Sequence, residues 1–237
     1  MSATFSNATL PAVNAQVSSI GVQSGAQAPQ LEVSLGVDLQ LMMKRVIDIV
    51  IAGFGLICIS PLLLVIALLV KLTSEGPVFY KSHRIGKNYE PFYMLKFRTM
   101  NPNADALRDE LRKACQLEDG LFKMENDPRI TPVGRFLRKY SLDELPQLIN
   151  VLKGEMSLVG PRPLPEDESS LFEHPYTYRY SVQPGITGLW QVSGRSNLNF
   201  KTLCDLELRY VMCWSLLMDL RILMQTPAAV FQSRGAC

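Results

Sequence analysis

Hydrophobicity along this chain rises once to a long plateau and otherwise stays broken into short runs. The plateau is Val46 to Val70 (VIDIVIAGFGLICISPLLLVIALLV), in which Asp48 is the only charge. A straight helix of that length reaches roughly 37 Å at about 1.5 Å per residue, enough to cross a hydrocarbon core of about 30 Å. Pro61 disturbs it, because proline removes the donor that would serve the carbonyl of Ile57 and pushes Ser60 away from helical angles. The pattern therefore predicts a sharp break at Ser60-Pro61, with the serine hydroxyl placed to cap the freed group. Bent hard there, the arms Val46 to Ile59 and Leu62 to Val70 span only about 21 Å and about 14 Å, and the segment becomes a re-entrant hairpin. Charge at the flanks supports that topology. Lys44 and Arg45 precede the plateau while Lys71, Lys81, Arg84 and Lys87 follow it, so both ends carry the signature of the cytoplasmic side. Proline also kinks ordinary spanning helices, and these residues alone leave both topologies open.

The shorter runs downstream predict a mixed body. Pro77 to Met100 combines aromatic and β-branched residues around a turn signal at Gly86-Lys87-Asn88, as paired strands do. Lys81, His83, Arg84, Lys87, Lys96 and Arg98 concentrate positive charge there, suited to phosphate, to an anionic membrane surface, or simply to a solvated strand face. Asn103 to Leu117 reads as a surface helix with Asp109 and Lys113 at i,i+4 spacing. Two prolines punctuate Asp127 to Pro132, after which Val133 to Tyr140 carries Arg135, Arg138 and Lys139 toward an acidic pair. Pro184 to Gly188 and Ser193-Gly194-Arg195 are turn-rich loops of the kind that approach a ligand. Leu203 to Val230 is apolar in clusters, but Asp219 and Arg221 sit too centrally for a second crossing, so interfacial or core helices are expected.

Composition narrows the class. A chain of 237 residues with 47% apolar content holds one principal domain plus an appended segment. A net charge of +2 and a sequence pI of about 8.2 provide no global field for nucleic acid. The five cysteines form no CxxC pair and one lies in the plateau, so neither a disulfide framework nor a zinc site is implied. Met1 to Gly36 contains no Lys or Arg and no continuous apolar run, unlike a signal peptide, and reads as a flexible tail. The expected organisation is a tail over 1–40, the membrane segment over 41–72 and a catalytic body over 73–237. The fold class is α/β, mostly helical.

Candidate chemistry concentrates in Ser141 to Pro163 (SLDELPQLINVLKGEMSLVGPRP), where Asp143 and Glu144 stand just ahead of a short apolar run. Ser141-x-x-Glu144 fits a capping box, and an aspartate in a first helical turn is favoured by the macrodipole in any case. The same position, with arginines nearby, also suits a phosphorylated ligand, and an aspartate there can attack phosphorus. Glu144, about 100° round the helix from Asp143, is directed to a metal ion or to orienting its neighbour. Arg162, fixed between Pro161 and Pro163, is a candidate for a bidentate grip on phosphate.

Taken together, Lys44-Arg45, Ser60-Pro61, Lys96 to Met100, Ser141 to Gln147, Asn150 to Ser157, Val159 to Pro163 and Pro184 to Gly188 resemble the bacterial sugar transferase family. These are monotopic polyprenyl-phosphate hexose-1-phosphate transferases, and the likeness runs from about Leu41 to Phe231 in one order. The resemblance implies a re-entrant membrane hairpin at Ser60-Pro61 and a catalytic domain on the cytosolic face of the bacterial inner membrane. It implies transfer of hexose 1-phosphate from a UDP-sugar to undecaprenyl phosphate, with UMP released and Mg²⁺ required. By motif, Asp143 matches the nucleophile of a covalent phosphosugar intermediate and Glu144 its Mg²⁺-associated partner. Arg162, Pro161, Pro163, Lys96, Arg98, Arg138 and Arg195 fall in substrate-binding positions, and Lys44 and Arg45 in a headgroup anchor. Gly188 to Arg195 looks most like enzymes that begin exopolysaccharide repeats with galactose or glucose. Two other readings fit the same residues: a noncatalytic membrane scaffold, and a transferase in which Asp143 is only a base. Donor sugar, oligomeric state (a homo-oligomer is allowed), the role of the tail and the polymer made are not legible in the sequence.

Overall fold

The computed structural model describes residues 35–102, 104, 107, 127–169, 172–194 and 198–231. The tail before residue 35, nearly all of the helix expected over Asn103 to Leu117, and Arg195 lie outside them.

The hydrophobic plateau forms a single helix, α1 (Leu35–Thr73), with Pro61 inside it. Helix thus begins within the stretch assigned to the tail, and it continues through Ser60-Pro61 where the sequence predicts an interruption. The reason is local. The Ser60 hydroxyl donates to the Ile57 carbonyl at 2.8 Å, replacing the bond that proline cannot make, so the helical path survives. α1 is long and apolar enough to cross a membrane by length and composition. Phe54, Ile57, Leu64 and Leu72 are strongly exposed on it, whereas Asp48, Ala52, Ile66 and Val70 are buried.

The body is built around α1. Strands β1 (Phe79–Ile85) and β2 (Pro91–Phe97) pair antiparallel, with Phe79 opposite Phe97 and Ile85 opposite Pro91. The predicted turn at Gly86 to Asn88 closes them, with Asn88 and Tyr89 in the left-handed region at φ 54° and 63°. Helix α2 (Pro132–Lys139) starts at a Thr131 cap, whose hydroxyl accepts from Gly134 N at 2.9 Å, with Pro132 in the first turn where its missing donor costs nothing. Helix α3 (Gln147–Lys153) ends at Gly154, where φ of 87° favours glycine. Short strands β3 (Ser157–Val159) and β4 (Gly185–Thr187) pair in parallel. Helices α4 (Glu166–Ser169), α5 (Leu189–Ser193), α6 (Phe200–Met212) and α7 (Leu216–Phe231), with a 3-10 turn at Tyr176–Ser181, complete the described body.

Two apolar clusters hold α1 at two places. Ala52 packs with Val151, Leu158, Tyr210 and Ile222, and Ile66 and Val70 pack with Phe97 and Leu137. Burial of a residue such as Val70 or Ile66 contributes about 1.5–3 kcal/mol, so both ends of the apolar segment are fastened to the same body. Polar bonds repeat the pattern. Arg45 donates to the carbonyls of Val151 (2.6 Å) and Leu152 (3.0 Å). Lys44 Nζ donates to Asp219 Oδ2 (2.7 Å) and to the Val159 carbonyl (3.0 Å). These two cations, expected at lipid headgroups, bond to the body, because backbone carbonyls and a buried aspartate at the ends of α3, β3 and α7 offer them partners.

Candidate active site

The candidate site lies where β2, the end of α2 and the start of α3 meet. Met100 bridges to Ile130, and Thr131 N donates to the Thr99 carbonyl at 3.0 Å, which ties the end of β2 to the entrance of α2. The chain must then reverse sharply to enter α3. It does so at Ser141, a non-glycine residue at φ 54°, followed by a 3-10 turn over Leu142–Glu144. Left-handed backbone at such a residue costs on the order of 1–3 kcal/mol and collects at functional sites. Ser141 makes no side-chain cap, and Glu144 does not reach back to it, so the capping box is not formed. The left-handed turn rotates both groups out of capping geometry, and the Glu144 carboxylate goes elsewhere.

It goes to two cations. Lys96 Nζ, from the end of β2, donates to Glu144 Oε1 at 2.7 Å, and Arg162 Nη2 donates to the same oxygen at 2.9 Å. Burial pushes the Glu144 carboxyl up, but Arg162 and Lys96 outweigh it and hold the group well below the usual carboxylate range. Asp143 behaves in the opposite way. It is 5% exposed, and burial raises its pKa against the pull of Lys96, Arg138 and Arg162, with Glu144 adding repulsion. No described residue donates a hydrogen bond to its carboxylate. Lys96 is lowered by burial and partly restored by Glu144, and Arg162 is raised by Glu144. Arg84 is lowered to about 10 by burial and by the like charge of Arg162. The arrangement is one fixed anion, one buried carboxylate without bonded donors, and several cations facing them.

Of the positions singled out by the sequence, Asp143, Glu144, Lys96 and Arg162 come together, with Pro161 and Pro163 buried on either side of the arginine. Arg138 stands close enough to act on Asp143 and is held by its Nε bond to Thr99 Oγ1 at 3.1 Å. Arg98 does not join the site. Its guanidinium donates to the Pro77 carbonyl, to Ser74 O (2.7 Å) and to Ser74 Oγ (2.8 Å), fastening the end of α1 to β2. Lys96, on β2, turns toward the carboxylates, whereas Arg98 lies past the strand end, is free of its alternation, and turns to backbone carbonyls that follow α1. Sequence reasoning left two buried charges out of the site, namely Arg179 and Glu207. Glu207 had a visible signal, since it shares a helical face with Leu203, Cys204, Tyr210 and Val211, all buried.

A cation such as Mg²⁺ takes hard oxygen ligands, commonly one or two carboxylates plus substrate phosphates. No cluster of three or more acidic, His or Cys side chains is present among the described residues. Both cations on Glu144 use Oε1, and Oε2 accepts from no described donor, so Glu144 keeps a hard oxygen of the kind such an ion takes.

Comparison with known proteins places this geometry in context. The model of the bacterial sugar transferase family matches residues 39–233. Exopolysaccharide production protein ExoY of Sinorhizobium fredii is 46% identical over 197 residues, covering 81% of this chain and 87% of that protein. The undecaprenyl-phosphate galactose phosphotransferase of Salmonella typhimurium is 44% identical over 201 residues, 82% of this chain but 41% of that longer protein. A UDP-glucose:undecaprenyl-phosphate glucose-1-phosphate transferase of Klebsiella pneumoniae is 39% identical over 208 residues, 84% of this chain and 42% of that protein.

Proposed function

Because this chain belongs to the bacterial sugar transferase family, we propose that it moves hexose 1-phosphate from a UDP-sugar to undecaprenyl phosphate and releases UMP. The observation that carries this reading is Asp143, a buried carboxylate that no described donor occupies, faced by Lys96, Arg138 and Arg162. In the first step an Asp143 oxygen attacks the phosphorus that bears the sugar. The bond from that phosphorus to the UMP oxygen breaks, and UMP leaves with the electron pair. In the second step a phosphate oxygen of the lipid attacks the same phosphorus, and the Asp143 carboxylate is returned. Arg162 and Lys96 neutralise charge that develops on the phosphoryl oxygens, the term that usually contributes most in phosphoryl transfer. Glu144 holds these two cations in place. Glu144 is the residue that would hold Mg²⁺, which would neutralise the diphosphate of the donor.

The same family reading sets the site at the inner face of the cytoplasmic membrane, with α1 as the segment that meets the lipid. Support comes from both flanks of α1, since Lys44 and Arg45 at one end and Val70 at the other contact one body. Contacts at both ends favour a segment that keeps with the body on one side of the membrane. The names of the relatives point to galactose or glucose as the donor sugar.

The test is a panel of UDP-hexoses with the full chain in nanodiscs, scored by UMP release, together with intact-mass analysis when lipid acceptor is withheld. A hexose-phosphate adduct on Asp143 is the expected result. An active protein without any adduct, and with ternary-complex kinetics, would reduce Asp143 to a base. Silence with every donor would leave a membrane scaffold.

A further inference from the structure

The loop Pro161-Arg162-Pro163 places the guanidinium that meets Glu144, yet its two prolines have no backbone N–H to fix it. The one donor left, Arg162 N, is taken by Glu207 Oε1 of α6 at 2.9 Å. The Arg162 carbonyl accepts from Arg179 Nη2, which reaches it from the 3-10 turn at Tyr176–Ser181. Arg179 and Glu207 also pair with each other at 3.1 Å, with side chains 3% and 4% exposed. The Arg179 guanidinium lies over the Phe172 ring, 4.3 Å from its centroid. Both backbone polar atoms of Arg162 are thus held by a single buried ion pair from two other elements. Among the described residues, neither partner bonds to Asp143, Glu144 or Lys96.

A buried ion pair is weak support for a fold, since desolvation offsets most of the attraction and an apolar pair of the same volume often does as well. Its effect here is geometric. Arginine is a long side chain, so any rotation of its peptide is magnified at the guanidinium, and a displacement of about 1 Å at a positioned group costs on the order of 100-fold in rate. We infer that Glu207 and Arg179 are positioning residues for Arg162, fixing its peptide so that its guanidinium meets Glu144 and the diphosphate of the donor. The inference rests on the transferase reading above and deepens it.

The experiment is a pair of double-mutant cycles on the full chain in nanodiscs, read as kcat/KM for UMP release and accompanied by thermal unfolding. Glu207→Ala is expected to lower kcat/KM by about 10- to 100-fold in the wild-type background, but by no more than about threefold when Arg162→Ala is already present. Glu207→Gln, which keeps an acceptor oxygen for Arg162 N, is expected to recover most of the loss. Arg179→Lys keeps the buried charge balance but loses the forked reach to the Arg162 carbonyl, and supplies a second cycle that does not depend on Glu207→Ala folding. A merely structural pair would lower activity by the same factor with or without the Arg162 side chain, and that result in either cycle overturns the inference while leaving the transferase intact. No UMP release by the wild type from any UDP-hexose would sink the transferase reading and this inference with it.

Discussion

Two aspartates in this protein are equally hidden and behave oppositely. Asp219, in α7, is 3% exposed and accepts from Lys44 Nζ at 2.7 Å, Tyr210 OH at 2.9 Å and Trp214 Nε1 at 3.2 Å. Asp143 is 5% exposed and has cations around it but no donor from the described residues bonded to its carboxylate. A buried carboxylate whose lone pairs are filled works as a fastener, because moving it would break several charge-assisted bonds at once. One that is surrounded by compensating charge but left unbonded keeps an oxygen for an incoming electrophile. Burial alone therefore does not mark a reagent; the distribution of donors does.

The comparison breaks most visibly by substitution. Asp143→Asn is expected to remove turnover by about 10³-fold or more, and the acceptor-free adduct with it, while thermal unfolding stays close to wild type. Asp219→Asn should do the reverse, destabilising the protein by about 3 kcal/mol through a poorly matched Lys44, with UMP release per folded molecule changed only severalfold. If Asp219→Asn instead matched Asp143→Asn in lost turnover at unchanged stability, donor saturation would not separate the two roles.

The features that could be read from the sequence divide along the same line. The apolar segment, the β1–β2 pair with its turn at Gly86, the helices after Phe200 and the Asp143-Glu144 pair all follow from local pattern, because each depends on neighbours a few residues away. The Ser60 bond to Ile57 was foreseeable for the same reason, although the uninterrupted helix was not, since a single side-chain bond decides it. What local pattern missed are long-range partners. Arg98 looks like any other cation near the site, but spends itself on Ser74 and Pro77. Lys44 and Arg45 look like headgroup anchors until β3, α3 and α7 fold against them. The capping box failed because Ser141 adopts φ of 54°, a conformation that no propensity favours and only the surrounding fold enforces.

Lys96→Met sharpens the contrast by degree. In the proposed mechanism Asp143 attacks as the carboxylate, and its pKa is raised by burial, so kcat/KM is expected to fall with decreasing pH along a limb lying above the ordinary aspartate value of about 4. Lys96 is the foremost charge holding that pKa down, and its loss moves the limb to higher pH, with kcat/KM at the plateau reduced by about 10- to 100-fold. The stability effect has the opposite sign. Glu144 is depressed in the folded state, so it contributes stability above its unfolded pKa of about 4.3 that is lost as pH falls toward the folded value. Without Lys96 that contribution shrinks, and the mutant should lose less stability between neutral and acid pH than the wild type. A pH–rate profile with an unmoved acid limb would separate Lys96 from Asp143.

The smallest effect is expected where a fastener is redundant. Ser60 Oγ serves the one carbonyl that Pro61 leaves open, in a stretch of α1 that faces away from the body, and Ser60→Ala leaves Ile57 O without that donor. The cost is expected to be about 1 kcal/mol in thermal unfolding in nanodiscs, because Ile66, Val70 and Arg98 hold one end of α1 and Lys44, Arg45 and Asp48 hold the other independently of the middle. UMP release should stay within about twofold, since no catalytic group is reached through Ser60. A tenfold loss at unchanged body stability would mean that the path of α1 at Ser60-Pro61, and not only its two seats, sets how the site meets the lipid acceptor.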